Sequence, residues 1–387
     1  MDDVSIPEDS APVSRQVPAS TDPSVPERGQ HLGAGTVPEE PGRPGAPREY
    51  PEASGHPDEL APPDPDLARD DVSALRAAGQ QVRTVVVGQE AMVDRLLIAT
   101  LARGHCLLEG VPGVAKTLAV RTFAVVLGGS FARLQFTPDL VPSDIIGTRI
   151  YKPSTESFDV ELGPVFVNFV LADEVNRAPA KVQAAMLELM AEHQVSLGGV
   201  SYQLPDPFTV IATQNPLESE GVYPLPEAQR DRFLLKVDVP LPRAHEEAEI
   251  LRRMSVRPPI PEPVLDPERV VRLQRAADEV YVHPLITDYA VRLVMATRSP
   301  QEYGLPGLAP IISGGASPRA TLGLVAAARA MALIQGRDHV LPEDLQVLAV
   351  DVIAHRLLLG FDAVADGINA RDIVGEVVHT VPPPRPS

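Results

Sequence analysis

Residues 105–119 read His-Cys-Leu-Leu-Glu-Gly-Val-Pro-Gly-Val-Ala-Lys-Thr-Leu-Ala. The apolar residues that end at Leu108 predict a short strand, and the residues from Lys116 onward predict the start of a helix. Between them lies a glycine-rich turn whose backbone N–H groups can face phosphate oxygens at a helix N-terminus. This order of strand, turn and helix predicts a phosphate-binding loop (P-loop) in an α/β domain.

The chemistry of the loop depends on the side chains at its end. Lys116 adds a positive charge, and the Thr117 hydroxyl can ligate Mg²⁺. Ala115 departs from the generic pattern, which has glycine before the lysine. The alternative interpretation is an ordinary Gly-Pro turn ahead of a helix. The predicted nucleotide-binding residues of this segment are Gly110, Val111, Pro112, Gly113, Val114, Ala115, Lys116, Thr117 and Leu118.

Two adjacent carboxylates, Asp173 and Glu174, follow residues 167–172, which are apolar except for Asn168. Ligands bind at the carboxyl ends of the strands in open parallel sheets, so a strand ending here delivers both side chains to a site. We expect Asp173 to hold Mg²⁺ through water and Glu174 to polarise the attacking water, because phosphoryl transfer needs a positioned nucleophile. The alternative is an acidic pair that caps the next helix.

Three more polar residues are candidates for contacts with the phosphates. Asn215 follows the apolar residues 208–212 and could donate a hydrogen bond to the γ-phosphate or to the attacking water. An Asn-Pro turn is the alternative interpretation. Arg232 and Arg319 stand where a strand and a helix are expected to begin. Surface arginines are common, so the local sequence leaves a catalytic role open for both.

Five apolar runs between residues 105 and 240 predict a mostly parallel sheet. Most of them are apolar at nearly every position, which is typical of strands buried on both faces by helices. The predicted strands are residues 106–108, 132–136, 166–172, 208–212 and 233–239. Residues 194–204 instead alternate apolar and polar side chains around Gly198-Gly199, which predicts an exposed β-hairpin with a tight primed turn.

Composition divides the chain into four segments. Residues 1–70 are rich in Pro, Glu and Asp and have no helical period, so we expect a disordered acidic tail. Residues 71–242 are the expected α/β core, residues 243–380 an all-helical lid domain, and residues 381–387 a Pro-rich tail. The expected lid helices are residues 267–280, 287–298, 318–334 and 342–356.

Composition also limits the classes of function. The net charge of −18 argues against binding a nucleic-acid backbone, which needs a basic face. No apolar run approaches the roughly 18 to 20 residues of a membrane span, and the N-terminus lacks a signal peptide, so we expect a cytoplasmic protein without a transmembrane segment. Cys106 is the single cysteine, which excludes an intrachain disulfide and a Cys-based metal site.

Several further segments match a known family. They are 87–90 (Val-Gly-Gln-Glu), 134–140 (Leu-Gln-Phe-Thr-Pro-Asp-Leu), 171–179 (Leu-Ala-Asp-Glu-Val-Asn-Arg-Ala-Pro), 211–216 (Ile-Ala-Thr-Gln-Asn-Pro), 223–229 (Tyr-Pro-Leu-Pro-Glu-Ala-Gln) and 231–233 (Asp-Arg-Phe). With the loop at 108–117, they make the chain resemble the MoxR family of AAA+ ATPases from about residue 86 to about residue 359. Alanine before the loop lysine is a common variant in that family.

The resemblance implies a role for each matching residue. The implied roles are Walker A for Lys116 and Thr117, Walker B for Asp173 and Glu174, sensor 1 for Asn215, arginine finger for Arg232, sensor 2 for Arg319, and the adenine-contacting edge for Val87 and Gln89. Arg230 is the rival for the finger, and Arg232 is preferred. The resemblance also implies a five-stranded sheet in the order 5-1-4-3-2, an insertion near residues 142–163 and a lid that closes over the base.

The resemblance also implies a biological setting. Because an arginine finger acts on a neighbouring subunit's nucleotide, the implied form is a homo-oligomeric ring, a hexamer, that uses ATP and Mg²⁺. Relatives are chaperone-like machines that act on protein clients. They often work with a partner bearing a von Willebrand factor A domain, in complex maturation or metal insertion. The alternatives are a nucleotide-dependent scaffold with little turnover and a chelatase-type AAA+ motor subunit.

Overall fold

The computed structural model describes residues 65–154, 156–217 and 223–384, with side chains from residue 70 onward. These residues belong to one compact unit. Residues 1–64 of the expected acidic tail and residues 385–387 of the expected Pro-rich tail lie outside the described residues. The first helix begins at Pro65, ahead of the start of order that we expected at residue 71.

Five strands form a parallel sheet at the centre of the fold. The strands of the chain are β1 (Cys106–Glu109), β2 (Phe131–Gln135), β3 (Gly147–Lys152), β4 (Ser157–Leu162), β5 (Phe169–Asp173), β6 (Gln194–Leu197), β7 (Val200–Gln203), β8 (Thr209–Gln214), β9 (Leu235–Asp238), β10 (Ile312–Gly314) and β11 (Leu358–Leu359). The sheet runs β2-β5-β8-β1-β9, and each neighbouring pair in it is parallel.

These labels differ from the expected order 5-1-4-3-2 because the hairpins β3–β4 and β6–β7 enter the count. Numbered without the hairpins, the five strands run 2-3-4-1-5, which is the expected order from the opposite edge. The third of them begins at Phe169, later than the predicted residue 166. The Asn168 side chain anchors the turn before this strand, because it accepts from the Ser130 hydroxyl at 2.9 Å and donates to the Pro207 carbonyl at 2.9 Å.

Helices cover both faces of the sheet and form the C-terminal lid. The helices are α1 (Pro65–Val85), α2 (Glu90–Leu101), α3 (Lys116–Val126), α4 (Pro142–Ile146), α5 (Ala180–Glu192), α6 (Glu227–Arg230), α7 (Ala244–Met254), α8 (Pro267–Glu279), α9 (Pro284–Arg298), α10 (Pro318–Ile334), α11 (Pro342–Ile353), α12 (Phe361–Ala365) and α13 (Ala370–Thr380). The predicted lid helices correspond to α8–α11. Each of these four begins with proline, whose fixed φ suits the first helical position.

Two antiparallel hairpins interrupt the α/β pattern. α4 and the β3–β4 hairpin occupy the insertion that the resemblance places near residues 142–163. The predicted hairpin at residues 194–204 is β6 and β7, joined by Gly198 and Gly199. Both glycines have positive φ, +60° and +83°, as a primed two-residue turn requires.

Two apolar clusters hold the layers together. The larger joins α1, α2 and α3 on one face of the sheet to the lid helices, and it includes Leu96, Phe123, Leu324 and Leu348. The smaller packs α5 and the β6–β7 hairpin on the other face of the sheet. The lid therefore shares one apolar core with the helices of the α/β layer. Within the described ranges, no helix is long and apolar enough to cross a membrane.

Candidate nucleotide-binding site

The loop between β1 and α3 is shaped by glycines where its backbone is crowded or left-handed. A Cβ at Gly110 would lie 2.6 Å from the Val239 carbonyl oxygen, so a larger residue does not fit there. Gly113 has a φ of +90°, which favours glycine. The Lys116 ammonium turns into the loop and donates to the carbonyl oxygens of Gly110 and, at 3.3 Å, of Gln214. One carbonyl of the loop and one at the end of β8 thus hold the lysine ammonium.

Ala115 occupies a left-handed position directly before α3. Its φ is 61° and its ψ is 22°. This conformation costs an L-residue about 1–2 kcal/mol, and the generic phosphate loop avoids that cost by using glycine. The departure from the generic pattern therefore places a strained residue at the start of α3.

Asp173 is the last residue of β5 and is 7% exposed. Its Oδ1 accepts a hydrogen bond from the Thr213 hydroxyl at 2.6 Å. Its Oδ2 accepts from the Thr117 hydroxyl at 3.4 Å and from Arg133 Nη2 at 2.7 Å. Thr117 and Asp173, the two residues predicted to hold Mg²⁺, are therefore in contact with each other.

Glu174 also lies in the left-handed region, with a φ of 58°. Such residues cluster at functional sites, where surrounding bonds hold them in place. The Glu174 backbone N–H donates to the Thr213 hydroxyl at 2.9 Å. Its carboxylate accepts from Gln135 Nε2 at 2.9 Å and pairs with Arg177 Nε at 3.1 Å. The carboxylate predicted to activate water is thus engaged by two neighbouring side chains.

These side chains border one cavity of about 310 Å³. The predicted site residues that line it are Pro112, Gly113, Ala115, Lys116, Thr117, Leu118, Asp173, Glu174 and Asn215, together with Thr213. Asn215 also accepts from the Leu217 backbone N–H at 3.1 Å, so it forms a turn and faces the cavity at the same time. None of the described residues in α8–α13 lines this cavity, which is bordered by the predicted phosphate- and metal-binding residues. The lid helices α8 and α10 pack against α1 and α2, and closure of the lid over the base stays a prediction.

The remaining predicted nucleotide-binding residues lie beside the loop or within it. Gln89 is buried, and its Nε2 donates to the Pro240 carbonyl at 3.0 Å. Pro240 contacts Gln89, and the neighbouring Val239 lies against Gly110. Residues 239–240 therefore connect the segment of Val87 and Gln89 with the start of the loop. The loop residues that do not line the cavity are Gly110, Val111 and Val114, of which Val114 is buried in the core.

The two predicted arginines do not reach this cavity. Arg232 Nη1 donates to the Leu187 carbonyl at 2.6 Å. Arg319 lies at the N-terminus of α10 and donates to Asp231 Oδ2 at 3.3 Å. Arg230 lines a different cavity, of about 450 Å³, between β9 and the lid. The described site therefore contains the loop and the carboxylates but neither predicted arginine.

The side chains at the cavity suit a Mg²⁺-nucleotide. Burial lowers the pKa of Lys116, while the carboxylates of Asp173 and Glu174 act to raise it. The Thr117 hydroxyl and the Asp173 carboxylate offer oxygen ligands, which Mg²⁺ prefers. No cluster of three His, Cys, Asp or Glu side chains in the described part of the chain could hold a metal alone. Mg²⁺ at this position would therefore need phosphate oxygens and water as further ligands.

Four contacting residues were absent from our sequence prediction. Arg133 and Gln135 lie on the edge strand β2, Thr213 is the next-to-last residue of β8, and Arg177 follows Glu174 by three positions. A usable signal was present for the β2 pair. Polar side chains at alternate positions of an otherwise apolar strand point to one face, so they mark a face that is not packed in the core.

Models of known families match both parts of the chain. The model described as ATPase family associated with various cellular activities (AAA) matches residues 105–235, and the AAA lid domain matches residues 308–377. The chain is 54% identical to the Chaperone MoxR1 of Mycobacterium tuberculosis over 315 residues, which cover 81% of this chain and 84% of that protein. The Protein MoxR of Methylorubrum extorquens is 35% identical over 79% of this chain and 94% of that protein. The chain belongs to the MoxR family of AAA+ ATPases.

A solved structure is similar to this MoxR-family chain over most of its length. It is a proposed ATPase from Cytophaga hutchinsonii, with 45% sequence identity and a TM-score of 0.78. The match covers 83% of this chain and 98% of the solved chain. The family resemblance that the motifs indicated is thereby confirmed, as is the AAA+ fold of a parallel five-stranded sheet with a helical lid.

Proposed function

We propose that this MoxR-family protein binds ATP with Mg²⁺ in the 310 Å³ cavity and hydrolyses it. One observation carries the proposal, which is that Lys116, Thr117, Asp173 and Glu174 border a single cavity although they come from two distant segments of the chain. A phosphate loop with a basic, a metal-binding and a water-activating side chain is the set that phosphoryl transfer needs. The membership of the family supports the same chemistry.

Each residue has a separate task in the proposed reaction. Thr117 and Asp173 would hold Mg²⁺, which when bound offsets the charge of the phosphate oxygens. Lys116 would exchange the Gly110 carbonyl for phosphate oxygens, and Asn215 would orient the γ-phosphate or the water. Glu174 would exchange its bonds to Gln135 and Arg177 for the attacking water. We therefore infer that hydrolysis requires a rearrangement around Glu174.

We further propose that the working form is a hexameric ring. Arg232 and Arg319 do not line the cavity of their own chain, which supports a role at the nucleotide of a neighbouring subunit. The chaperone named among the relatives supports a remodelling motor that acts on a protein client. We propose a cytoplasmic location, a partner with a von Willebrand factor A domain, and a role in complex maturation or metal insertion.

Two variants test the proposed ATPase. Glu174→Gln keeps the metal and phosphate contacts, so we expect it to bind ATP at wild-type affinity and to lose at least about a hundredfold in turnover, as loss of a general base does. Lys116→Ala removes the loop charge, and we expect it to lose nucleotide binding. The measurements are steady-state phosphate release and fluorescent nucleotide titration. Wild-type turnover in both variants would contradict the proposal, whereas wild-type protein that binds ATP without turnover would indicate a scaffold.

A further inference from the structure

Arg133 on the edge strand β2 makes a contact that the proposed reaction does not use. Its Nε and Nη2 donate to Asp173 Oδ2 at 3.0 Å and 2.7 Å. The parallel register of β2 and β5 pairs Gln135 with Asp173, so Arg133 lies two residues earlier on the same face of the strand. A guanidinium on a carboxylate is a charge-assisted contact, which is stronger than a neutral hydrogen bond.

The oxygen that Arg133 occupies is the one that faces the predicted metal ligand. Thr117 Oγ1 lies 3.4 Å from Asp173 Oδ2, whereas Oδ1 is bound by Thr213 on the other side. The Asp173 side chain is 10% exposed and the Arg133 side chain is 50% exposed. Burial makes an unneutralised carboxylate costly. A cation in contact with Oδ2 therefore lowers this cost when the site holds no metal, and Arg133 supplies it.

Arg133 is also linked to the water-activating residue. Its Nη2 donates to Gln135 Oε1 at 2.8 Å, and Gln135 Nε2 donates to Glu174 Oε2 at 2.9 Å. A continuous set of hydrogen bonds therefore runs from Asp173 through Arg133 and Gln135 to Glu174. Movement of Arg133 away from Asp173 would remove one of the bonds that orient Gln135 against Glu174.

We propose that Arg133 is a positioning residue that takes the place of the metal in the nucleotide-free site. It neutralises Asp173 Oδ2 until Mg²⁺ arrives with ATP, and it must then leave this oxygen. Its departure loosens Gln135 and helps to free the Glu174 carboxylate. The inference rests on the proposed function, because it requires a Mg²⁺-nucleotide at this cavity. The inference predicts that Arg133 competes with the metal for Asp173 Oδ2. An ion pair that only stabilised the contact between β2 and β5 would not compete in this way.

The test is metal binding without turnover. Mn²⁺ is titrated into protein saturated with the non-hydrolysable analogue AMP-PNP, and free Mn²⁺ is measured by electron paramagnetic resonance. We expect Arg133→Gln to bind Mn²⁺ about threefold more tightly than wild type, the scale of a partly exposed ion pair. Arg133→Lys keeps the charge but lacks the planar pair of Nε and Nη2 donors, so its Mn²⁺ affinity should fall between those of Arg133→Gln and wild type. Arg275→Gln removes an exposed arginine of α8 and serves as the matched control.

Thermal unfolding provides the second measurement. Without nucleotide or metal, Arg133→Gln removes the cation that contacts Asp173 Oδ2 and should melt below wild type. With saturating Mg²⁺ and AMP-PNP, we expect most of this difference to disappear. An equal loss of melting temperature with and without Mg²⁺ and AMP-PNP would overturn the inference about Arg133 but not the proposed nucleotide site. Unchanged or weaker Mn²⁺ binding by Arg133→Gln would have the same meaning. Absence of Mn²⁺ and AMP-PNP binding by the wild type would contradict the proposed nucleotide site as well.

Discussion

Ala115 departs from the generic phosphate-loop pattern and still adopts the left-handed backbone conformation that suits glycine at this position. Its left-handed φ of 61° is available to alanine at a modest cost and is strongly unfavourable for a β-branched residue. We predict that Ala115→Gly binds ATP as well as wild type, whereas Ala115→Val binds about tenfold more weakly, which corresponds to about 1.4 kcal/mol. Nucleotide titration of the two variants checks this. Equal binding by Ala115→Val would show that the loop adopts another conformation with nucleotide.

His105 is a buried titratable residue at the start of β1. Its Nδ1 accepts from the Val210 backbone N–H at 3.0 Å, so Nε2 carries the proton that is donated to the Met190 carbonyl. Burial, as the largest cause, lowers the pKa of His105 from 6.5 to about 4. In the window between these values the unfolded chain binds more protons than the folded chain. The His105 contribution to stability is therefore full above pH 6.5 and is lost as the pH falls toward 4.

From this shift we predict that His105 contributes about 2 kcal/mol to the loss of unfolding free energy between pH 7 and pH 5. Urea denaturation at the two pH values measures it. His105→Gln is expected to be less stable at pH 7 and to show a smaller loss on acidification. His245→Gln is the control, because the His245 side chain is 74% exposed. An unchanged loss in His105→Gln would refute the assignment. Part of the loss of unfolding free energy between pH 7 and pH 5 should remain in His105→Gln, because burial also lowers the pKa of His355.

Individual site residues differ in how far the sequence predicts them. Lys116, Thr117, Asp173 and Glu174 follow apolar strands directly, so their place at the sheet edge depends only on strand direction. Two partners of the carboxylates, Arg133 and Gln135, come from β2, about 40 positions earlier in the chain. Which residue of β2 faces Asp173 depends on the register of two distant strands, and a shift of one residue would turn Arg133 to the other face.

At the scale of elements, lid and core are joined around Asp231, which follows α6. Its carboxylate accepts from Ser317 Oγ at 2.9 Å, Arg319 Nη1 at 3.3 Å and Arg356 Nε at 2.9 Å. The Arg356 side chain is 3% exposed. Burial lowers the pKa of Arg356 to about 10, and Asp231 acts against that shift. Asp231 is therefore the counter-charge of the buried Arg356. It directly precedes the predicted arginine finger, Arg232, in the chain.

We predict that Asp231→Ala lowers the free energy of unfolding by about 3 kcal/mol, because removing one partner leaves a buried charge unpaired. Chemical denaturation at neutral pH measures this loss. Asp338→Ala is the matched control, since the Asp338 side chain is 99% exposed, and it should change stability by less than about 0.5 kcal/mol. Equal small losses in both variants would show that Arg356 finds another partner.

Elements were predictable where their own residues decide the structure. The central strands β5, β8 and β1 are mainly apolar and buried, and the β6–β7 turn depends on its own two glycines, Gly198 and Gly199. The position of the lid was not predictable in this way. Apolar stripes on α8–α11 indicate that these helices are packed, but they do not say which surface receives them. The structure places them against α1 and α2, away from the cavity at the loop.

At the scale of the whole molecule, no arginine among the described residues lines the cavity at the phosphate loop, and Arg133 and Arg177 contact only the carboxylates at its border. Phosphoryl-transfer enzymes gain about 10³–10⁵ in rate from an arginine that stabilises the transition-state charge. If a neighbour supplies Arg232, an Arg232→Ala chain keeps a complete cavity but offers its neighbour no finger. A Glu174→Gln chain has the opposite defect.

We therefore predict that each variant alone is nearly inactive and that mixing them restores phosphate release. Restored activity should depend on the mixing ratio and be highest when the two are comparable, because only junctions between unlike subunits combine an intact Glu174 with an intact Arg232. A chain that carries both substitutions is the control, and it should restore nothing when mixed with Arg232→Ala. Wild-type turnover by Arg232→Ala alone would exclude Arg232 as the finger and direct attention to Arg230 or Arg319. Co-assembly of the two variants without recovery would instead indicate that Arg232 acts within its own chain.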